Sequence, residues 1–503
     1  MTAKKIVSVL LLVAMLLSLV ACVTGGDNTT TTSESTTTTT SGNDTDKDNT
    51  PGEDEKLEDL GMPIIKIRTE NKVPVVSKEN YVDCTVSTLD CAEEYKFSDV
   101  EAGIRLRGNS SIPNDPVNEQ APYRIKFEKK RSMFGLNDGA ECKSWVLLKP
   151  DMGNPISFEL GKSIFLEEGY YCSDYMFVEV YLNGKYRGVY VLCEQSQINK
   201  NRVDVSEAEE GFDSYKTGYL LEIDNYGYQE PDTHKFWADF SDVPLADIEG
   251  NRLSKKLISE GNNINGRWYV LKNDYVSREQ LKFIEKYVEG AFFIAYQAIE
   301  KGRYMEFSKS YNVVTSDSAT SAKEAIEKYI DIDSLVNMYI IQEISMNSDV
   351  GAGSFYMSVD FSEDSKRERL TFECPWDFNW AYRATSRDIG ENYGGLSACT
   401  FCPDSFYYEN GSHKDRSNPW LILFMKADWF RDMVRERWTE LKEAGTFERT
   451  LKEIQRWEED YAEPFEAHYE KWGFNLPYEA DRNYRWLKNR LTWLENKLFT
   501  MDN

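Results

Sequence analysis

The chain has 503 residues, of which 41% are hydrophobic and 13% aromatic, so it can bury a large core and is expected to hold more than one domain. Its formal net charge of −26 argues against a nucleic-acid partner, because neutralising phosphates requires clustered Lys and Arg side chains. The 3 histidines are not spaced with one another or with a Cys pair as zinc ligands are, which disfavours a zinc hydrolase.

The N-terminus carries the pattern of a targeting segment. Two lysines precede an apolar run, Ile6–Val20, and small residues then lead to Cys22. We interpret residues 1–22 as a bacterial lipoprotein signal, in which Cys22 is acylated and anchors the mature chain to the outer face of the cell membrane. An ordinary secretory signal cleaved near Ala21 is the alternative. Residues 23–60, rich in Thr, Ser and Asp, are too polar to collapse and are predicted to form a disordered tether.

Export makes disulfide bonds possible among the remaining cysteines. Cys84 lies close in sequence to Cys91, and Cys399 lies close to Cys402, so either pair is able to form. The other cysteines show no framework spacing and are compatible with small buried hydrophobic residues. The sequence leaves the connectivity open.

The first part of the mature chain alternates between apolar and polar residues. Strands are predicted around Ile64–Ile67, Val73–Val76 and Val82–Val86, which make residues 61–100 a β-rich N-terminal extension. The segment Gly103–Ser111 predicts a further strand that ends at a glycine and two hydroxyl residues.

Basic residues alternate with apolar ones in the next predicted strand, Tyr123–Phe127. Arg124 and Lys126 share one face of this strand, and Tyr123, Ile125 and Phe127 share the other. Basic side chains at this spacing are compatible with a solvent-exposed sheet edge. Alternatively, Lys126 projects into a cleft and binds phosphate as a point charge.

The following segments predict a helix, a hairpin and a strand. The helix is Gly153–Glu168, and the hairpin joins Met176–Leu182 to Gly188–Leu192 through an Asn-Gly turn. The strand Gly218–Asp224 carries Glu222 among apolar residues. Because buried carboxylates need partners, Glu222 is expected either to pair with a basic residue or to serve a site.

The central stretch combines two carboxylates with regular elements. A helical pattern at Leu335–Ile344 is followed by Asp349, and Asp377 follows two short predicted strands, Ser354–Val359 and Arg369–Phe372. Kinases place a catalytic-loop base and then a metal-binding Asp around such a hairpin. Turn residues in an acidic protein are the alternative interpretation of the two Asp residues.

The remainder of the chain is predicted to be mainly helical. Arg278–Lys301 has an amphipathic pattern, and residues 384–416 have the composition of long loops. Apolar stripes then predict core-forming helices at Trp420–Met425, Trp429–Leu441, Phe447–Tyr461 and Tyr484–Leu498.

In this order, these segments resemble the CotH family of atypical protein kinases over residues 62–500. The motifs that carry the resemblance are Ile104–Ser111, Tyr123–Lys126, Leu182–Tyr190 with Glu194, Tyr219–Glu222, Asn347–Asp349 and Pro375–Asp377. The resemblance implies an α+β, kinase-like two-lobed fold with a β-rich N-terminal part and a mainly helical C-terminal lobe. The implied domains are a small lobe at 101–197, an insert and helical linker at 198–325, and a large lobe at 326–503 with the catalytic Asp residues.

The resemblance also assigns roles within a phosphoryl-transfer site. It makes Asp349 the catalytic-loop base, Asp377 the ligand of Mg²⁺ or Mn²⁺, and Ser354 the occupant of the second metal-ligand position. The residues that it implies for binding the co-substrate ATP are Lys126, Arg107 and, at the hinge, Glu194. Positioning and charge neutralisation dominate such chemistry, which suits this set of residues.

Two positions depart from the family pattern. Ser354 stands where kinases have an Asn ligand, and Asn379 stands where relatives often have Asp. A phosphate-cradling Gly-x-Gly-x-x-Gly sequence is also absent. Weaker metal binding or an altered metal preference follows from these changes, which makes an inactive pseudokinase an alternative.

The sequence therefore predicts an exported, membrane-tethered kinase that transfers the γ-phosphate of ATP to Ser or Thr of secreted or surface proteins. The alternative is a pseudokinase that binds a protein or glycan through the aromatic loops around 384–420. A glycoside hydrolase is a third reading, disfavoured because no other carboxylate pair has a context as good as that of Asp349 and Asp377.

Overall fold

The computed structural model describes residues 60–238, 245–250, 267–365, 367–382, 394–400, 406–407, 413–414 and 417–502. The targeting segment and almost all of the tether lie outside the described residues, as does most of the loop region 384–416. The predicted roles of those segments therefore remain predictions.

The N-terminal part of the described chain is a closed β-barrel. Its strands are β1 (Ile64–Thr69), β2 (Val82–Leu89), β3 (Val100–Leu106), β4 (Tyr123–Arg131), β5 (Cys142–Leu148), β6 (Tyr175–Leu182) and β7 (Lys185–Cys193). The spatial order is β1-β2-β3-β4-β5-β7-β6, and a parallel pairing of β1 with β6 closes the barrel, whereas all other neighbours are antiparallel. The predicted boundary at residue 100 thus falls inside one barrel.

Period-two burial explains how the barrel strands form. In β4, Tyr123, Ile125 and Phe127 are buried, whereas Arg124 is half-buried and Lys126 is exposed, as the alternation predicts. The segment Val73–Val76 is not a strand. Its central Pro74 lacks the backbone N–H that a ladder needs, and both Val73 and Val76 are largely exposed.

Apart from the barrel, five strands form a sheet with the order β14-β13-β8-β10-β9, which we call the second sheet. Its strands are β8 (Gly218–Ile223), β9 (Lys235–Ala238), β10 (Arg267–Leu271), β13 (Phe355–Asp360) and β14 (Thr371–Phe372). The predicted hairpin of β13 and β14 is confirmed, with Met357 opposite Phe372. Two-stranded ribbons pair β11 (Met305–Phe307) with β12 (Val313–Thr315), and β15 (Phe406–Tyr407) with β16 (His413–Lys414).

Helices make up most of the C-terminal part. They are α1 (Gly153–Ile164), α2 (Arg278–Lys301), α3 (Ala322–Ile326), α4 (Ile332–Ser345), α5 (Pro419–Phe424), α6 (Asp428–Glu443), α7 (Thr446–Asp460), α8 (Ala462–Trp472) and α9 (Leu476–Thr500). The predicted bounds of α2 are confirmed because local signals define both ends: Ser277 and Gln280 form a capping box, and Gly302 adopts a left-handed C-terminal conformation. Helix α8 was not predicted.

The described residues therefore form an α+β protein, as the sequence predicts. Within them, none of the helices combines the length and the hydrophobicity needed to cross a bilayer. The cysteines of the described part, including Cys84 and Cys91, are free thiols. Helix α4, which precedes Asp349, is buried at every position except Asp333, so a rigid core element supports the central stretch.

Candidate active site

A cavity of about 670 Å³ is lined both by the barrel with its connecting loops and by the second sheet with its loops. This volume lies within the range of about 300–1,000 Å³ typical of small-molecule sites. Its basic lining residues are Lys78, Arg105, Arg107, Arg124, Lys149 and Lys272. Its acidic lining residues are Asp151, Glu222, Asp224, Glu230, Asp349 and Asp377. The cavity therefore joins many charges of both signs in one small volume.

Asp349 reaches the cavity from a turn directly after α4. The side chain of Asn347 accepts a hydrogen bond from the Asp349 backbone N–H at 3.1 Å. The Asp349 carbonyl in turn accepts from the N–H groups of Ala352 and Gly353 at 2.8 and 3.0 Å. The Asn347 side chain and these backbone hydrogen bonds thus hold the turn that places Asp349 at the cavity.

Asp377 reaches the same cavity from a segment that the start of α1 holds in place. The side-chain oxygen of Asn154 accepts a hydrogen bond from the Phe378 N–H at 2.9 Å. Asn154 is fixed in turn by Asp151, which accepts from its backbone and side-chain nitrogens at 2.8 and 2.9 Å. Gly153 allows this close approach, because a Cβ there would lie 1.8 Å from the Phe378 carbonyl oxygen.

Burial and neighbouring acids make ionisation of two cavity carboxyls, those of Asp377 and Asp224, costly. Burial, together with the charges of Asp349, Asp151 and Glu222, raises the pKa of Asp377 to about 6, against the opposing charge of Arg107. Burial and the nearby Glu222 likewise raise the pKa of Asp224 to about 6. A cation near these groups would relieve this repulsion.

The residues around Asp377 fit a hard divalent cation. The side-chain oxygen of Asn379 is buried and has no hydrogen-bond partner among the residues that the structure describes. Asn379, Ser354 and Asp377 all line the cavity. No three His, Cys, Asp or Glu side chains in the described chain form a ready-made metal site. Mg²⁺ needs only one or two carboxylates when phosphate and water complete its shell, so the donors present suit it.

Arginine side chains, rather than Lys126, supply the facing positive charge. Arg107 lines the cavity, and its guanidinium carbon lies 5.6 Å from the centre of the Trp376 ring. Arg124 and Arg105 also line it. Lys126 is exposed and is not a lining residue, because the cavity borders the start of β4, where Arg124 and the preceding Pro122 lie. Alternation placed Arg124 and Lys126 on one face, but it could not show which end of the strand meets the cavity.

Glu194 lies away from the cavity. Its carboxylate is buried and accepts hydrogen bonds from Arg202 at 3.0 Å and from Asn137 at 3.2 Å. The two residues that follow, Gln195 and Ser196, line the cavity instead. The carboxylate of Glu194 is therefore engaged within the protein, and any ligand contact from this region comes from its C-terminal neighbours.

Glu222 pairs with a basic residue, which is one of the two alternatives that the sequence left open. It forms an ion pair with Lys272, and both residues line the cavity. Sequence reasoning missed Lys272 because it follows β10, a short strand that was not predicted. It also missed Asp151, an Asp shortly before the predicted helix of the kind that caps helices, and Asn154, which lies in the first turn of that helix.

Fold and cavity together define an α+β protein with one cavity that is lined by clustered carboxylates and by arginines. A family model described as CotH kinase protein matches residues 104–494. Because this match covers well over half of the chain, the protein belongs to the CotH kinase family. No curated protein matches the chain significantly.

Proposed function

We propose that the protein is an active CotH-type kinase that transfers the γ-phosphate of ATP to Ser or Thr hydroxyls of secreted or surface proteins. The observation that carries the proposal is the single cavity lined by Asp349, Asp377, Arg107 and Arg124. In this view the barrel acts as the small lobe, and the second sheet with the C-terminal helices acts as the large lobe, of a kinase-like two-lobed arrangement.

Each charged group has a role that its position supports. Asp377 and Asn379 would hold Mg²⁺ or Mn²⁺, which when bound neutralises the β- and γ-phosphate oxygens. Arg107 and Arg124 take the role that the resemblance gave to Lys126, because guanidinium groups bind phosphate oxygens in a bidentate manner. Asp349 accepts the proton of the attacking hydroxyl.

A phosphoryl-transfer assay tests the proposal. The mature chain is incubated with labelled ATP, Mg²⁺ or Mn²⁺ and a Ser/Thr-rich acceptor, beside Asp349→Ala and Asp377→Ala. Each substitution is expected to lower transfer by about 10²–10⁴-fold, the range for removing a general base or a key electrostatic group. Asp481→Ala, which removes an exposed carboxylate paired with Arg485, is the control and keeps wild-type transfer. Transfer that survives both cavity substitutions contradicts the proposal.

A catalytically inactive pseudokinase is the second candidate function. Two of the expected metal-ligand positions favour it. Ser354 and Asn379 replace stronger metal ligands, and the described chain has no three-ligand cluster of His, Cys, Asp or Glu. This candidate predicts nucleotide binding without transfer. Asn379→Asp separates the two functions: it is expected to strengthen metal-dependent nucleotide binding in both, but to accelerate transfer only in an active kinase.

The proposal includes export and a lipid anchor at Cys22. The positively charged start, the apolar run and the small residues before Cys22 support it. Cys22→Ser in the full-length chain is expected to prevent incorporation of a labelled fatty acid and to release the protein from the membrane fraction. Labelling that persists in Cys22→Ser would contradict the anchor.

A further inference from the structure

Lys272 is one of the charged cavity residues to which the proposed function gives no role. It follows β10, its side chain is 25% exposed, and its ammonium pairs with Glu222 of the neighbouring strand β8. Its backbone N–H donates to the Leu220 carbonyl at 2.8 Å, which fixes the base of the side chain against the second sheet. Both Lys272 and Glu222 line the cavity.

The surroundings of Lys272 are strongly acidic. Glu222, Asp224, Asp349 and Asp377 line the cavity from the second sheet and the loops that precede and follow its strands. Among the described residues of that wall, Lys272 is the one basic side chain, since the other basic lining residues belong to the barrel and its loops. The ammonium group therefore lies on the same side of the cavity as the two Asp residues of the proposed mechanism.

Neutralisation of the Glu222 charge does not by itself explain a lysine at this position. A buried ion pair contributes little stability compared with apolar side chains of the same size, because desolvation offsets the attraction. The pair also lies close to the reacting groups, since the charge of Glu222 acts on Asp377. Lys272 keeps its charge at neutral pH, because Glu222 and Asp224 raise its pKa against the effect of burial.

We propose that Lys272, held in place by Glu222, binds the terminal phosphoryl group of the nucleotide. The inference rests on the proposed function and adds a residue to it. During transfer, the acceptor oxygen bonds to the γ-phosphorus, and the bond from that phosphorus to the bridging oxygen breaks with its electrons leaving on ADP. The acceptor proton passes to Asp349. The ammonium offsets negative charge on the transferred group, in a site where Ser354 and Asn379 would hold a metal ion less tightly than Asn and Asp ligands would.

The test compares Lys272→Met and Lys272→Arg with Lys328→Met. Lys328 is the matched control, because it is 35% exposed, pairs with Glu306 and does not line the cavity. Dissociation constants for ATP and ADP with Mg²⁺ are measured together with the transfer rate. Lys272→Met is expected to lower the preference for ATP over ADP by about tenfold and the transfer rate by about 10²-fold, with Lys272→Arg less affected. The control changes neither.

The double variant Glu222→Gln with Lys272→Met distinguishes phosphate binding by Lys272 from neutralisation of the Glu222 charge. It removes both charges of the pair, so it can replace Lys272→Met in the test if that single variant does not fold. The inference holds if the double variant keeps the reduced ATP preference, and it is overturned if that preference or the transfer rate returns to wild type. An unchanged ATP preference in Lys272→Met also overturns it. If the wild-type chain prefers ATP but transfers no phosphate, the kinase activity is contradicted, and the nucleotide affinities still test the role of Lys272. If the wild-type chain binds neither nucleotide, both the kinase activity and the role of Lys272 are overturned.

Discussion

At the scale of single residues, Asp377 combines a cost to folding with a role in the proposed mechanism. Its backbone has a φ of 62°, in the left-handed region that non-glycine residues rarely adopt. Its pKa of about 6 in the fold, against an ordinary 3.8, means that the folded chain holds the proton more tightly than the unfolded chain. Stability from this group is therefore present at low pH and is lost as the pH rises through about 6.

The variant Asp377→Asn tests this cost. Without metal and at neutral pH, we expect it to raise the free energy of unfolding by about 1–3 kcal/mol, because the amide removes a buried charge. The gain is expected to disappear near pH 4, where the carboxyl of the wild type is protonated. Thermal melts at both pH values measure it, and a melting temperature below wild type at neutral pH would contradict the expected cost.

The site residues show how far sequence reasoning reached. Asp349 and Asp377 were placed in one cavity because a helix, a turn and a hairpin are local patterns that bring their flanking residues together. The sequence analysis named Lys126 as the phosphate-binding residue, but Arg124 on the same face of β4 is the one that lines the cavity. A two-residue period defines a face of a strand but not the position along it. The proposed roles of all four residues await the transfer assay.

At the scale of elements, the first turn of α1 positions the segment that carries Asp377. Contacts of Asn154 and Gly153 with Phe378 join the two across more than 200 positions of sequence, as the hydrogen bond from Phe378 to Asn154 shows. Such a junction depends on close backbone approach. It could not be predicted from sequence, because Gly153 alone does not identify its partner.

Gly153→Ala should disturb this junction. The added Cβ would lie 1.8 Å from the Phe378 carbonyl oxygen, so the segment must move and transfer should fall more than tenfold. Gly353→Ala is the control for the melting temperature only, because an added Cβ there meets nothing within 4 Å, whereas Gly353 itself lines the cavity. Asp481→Ala is the control for the transfer rate. Thermal melts and transfer rates are compared, and Gly153→Ala with wild-type values for both would contradict the positioning role.

Helix α8 is joined to a bulge in the β6–β7 pairing through two side chains. His468 Nδ1 accepts a hydrogen bond from the Val189 N–H at 2.9 Å, and Trp472 donates to the Arg187 carbonyl at 2.8 Å. Gly188, with a φ of 89°, leaves room for both rings. His468 is completely buried, and burial lowers its pKa to about 4.

This histidine predicts acid sensitivity. Because the unfolded chain takes up a proton near pH 6.5 and the folded chain only near pH 4, stability falls as the pH drops between these values, by up to about 3 kcal/mol. His468→Asn keeps an acceptor for Val189 and is expected to flatten this part of the pH profile in urea unfolding. His234→Asn, at a half-buried position, is measured beside it as the control for a histidine-to-asparagine change. An equally steep profile in His468→Asn would contradict the assignment.

Sequence patterns predicted elements better than they predicted their assembly. Helix α2 and the hairpin of β6 and β7 were confirmed, because caps, an apolar stripe and an Asn-Gly turn are local signals. The short strands β9 and β10 were missed. The barrel was missed as well, since its closure depends on β1 pairing with β6, a contact between distant parts of the sequence that no periodicity encodes.

At the scale of the whole molecule, the barrel extends beyond the N-terminal end of the segment that matches the family model. The match begins at residue 104 within β3, whereas β1 and β2 precede it. These two strands fill the gap between β3 and β6. The N-terminal extension that the sequence predicted is therefore a structural part of the barrel.

A fragment that starts at residue 101 tests this dependence. Without β1 and β2 it exposes the edges of β3 and β6, and we expect aggregation or loss of cooperative unfolding. A fragment that starts at residue 61 keeps all seven strands and is the control. Size-exclusion chromatography and thermal melts compare the two, and a monomeric, cooperatively melting shorter fragment would contradict the expectation.

The parallel closure of the barrel also has a consequence for the order of folding. Ile64 of β1 meets Glu179 of β6, so one of the first strands to be synthesised waits for a partner that emerges from the ribosome much later. Until then, one hydrogen-bonding edge of β1 lacks its native partner. Completion of the barrel is therefore a late event in biogenesis, and a nascent chain halted before β6 should still be vulnerable to proteases.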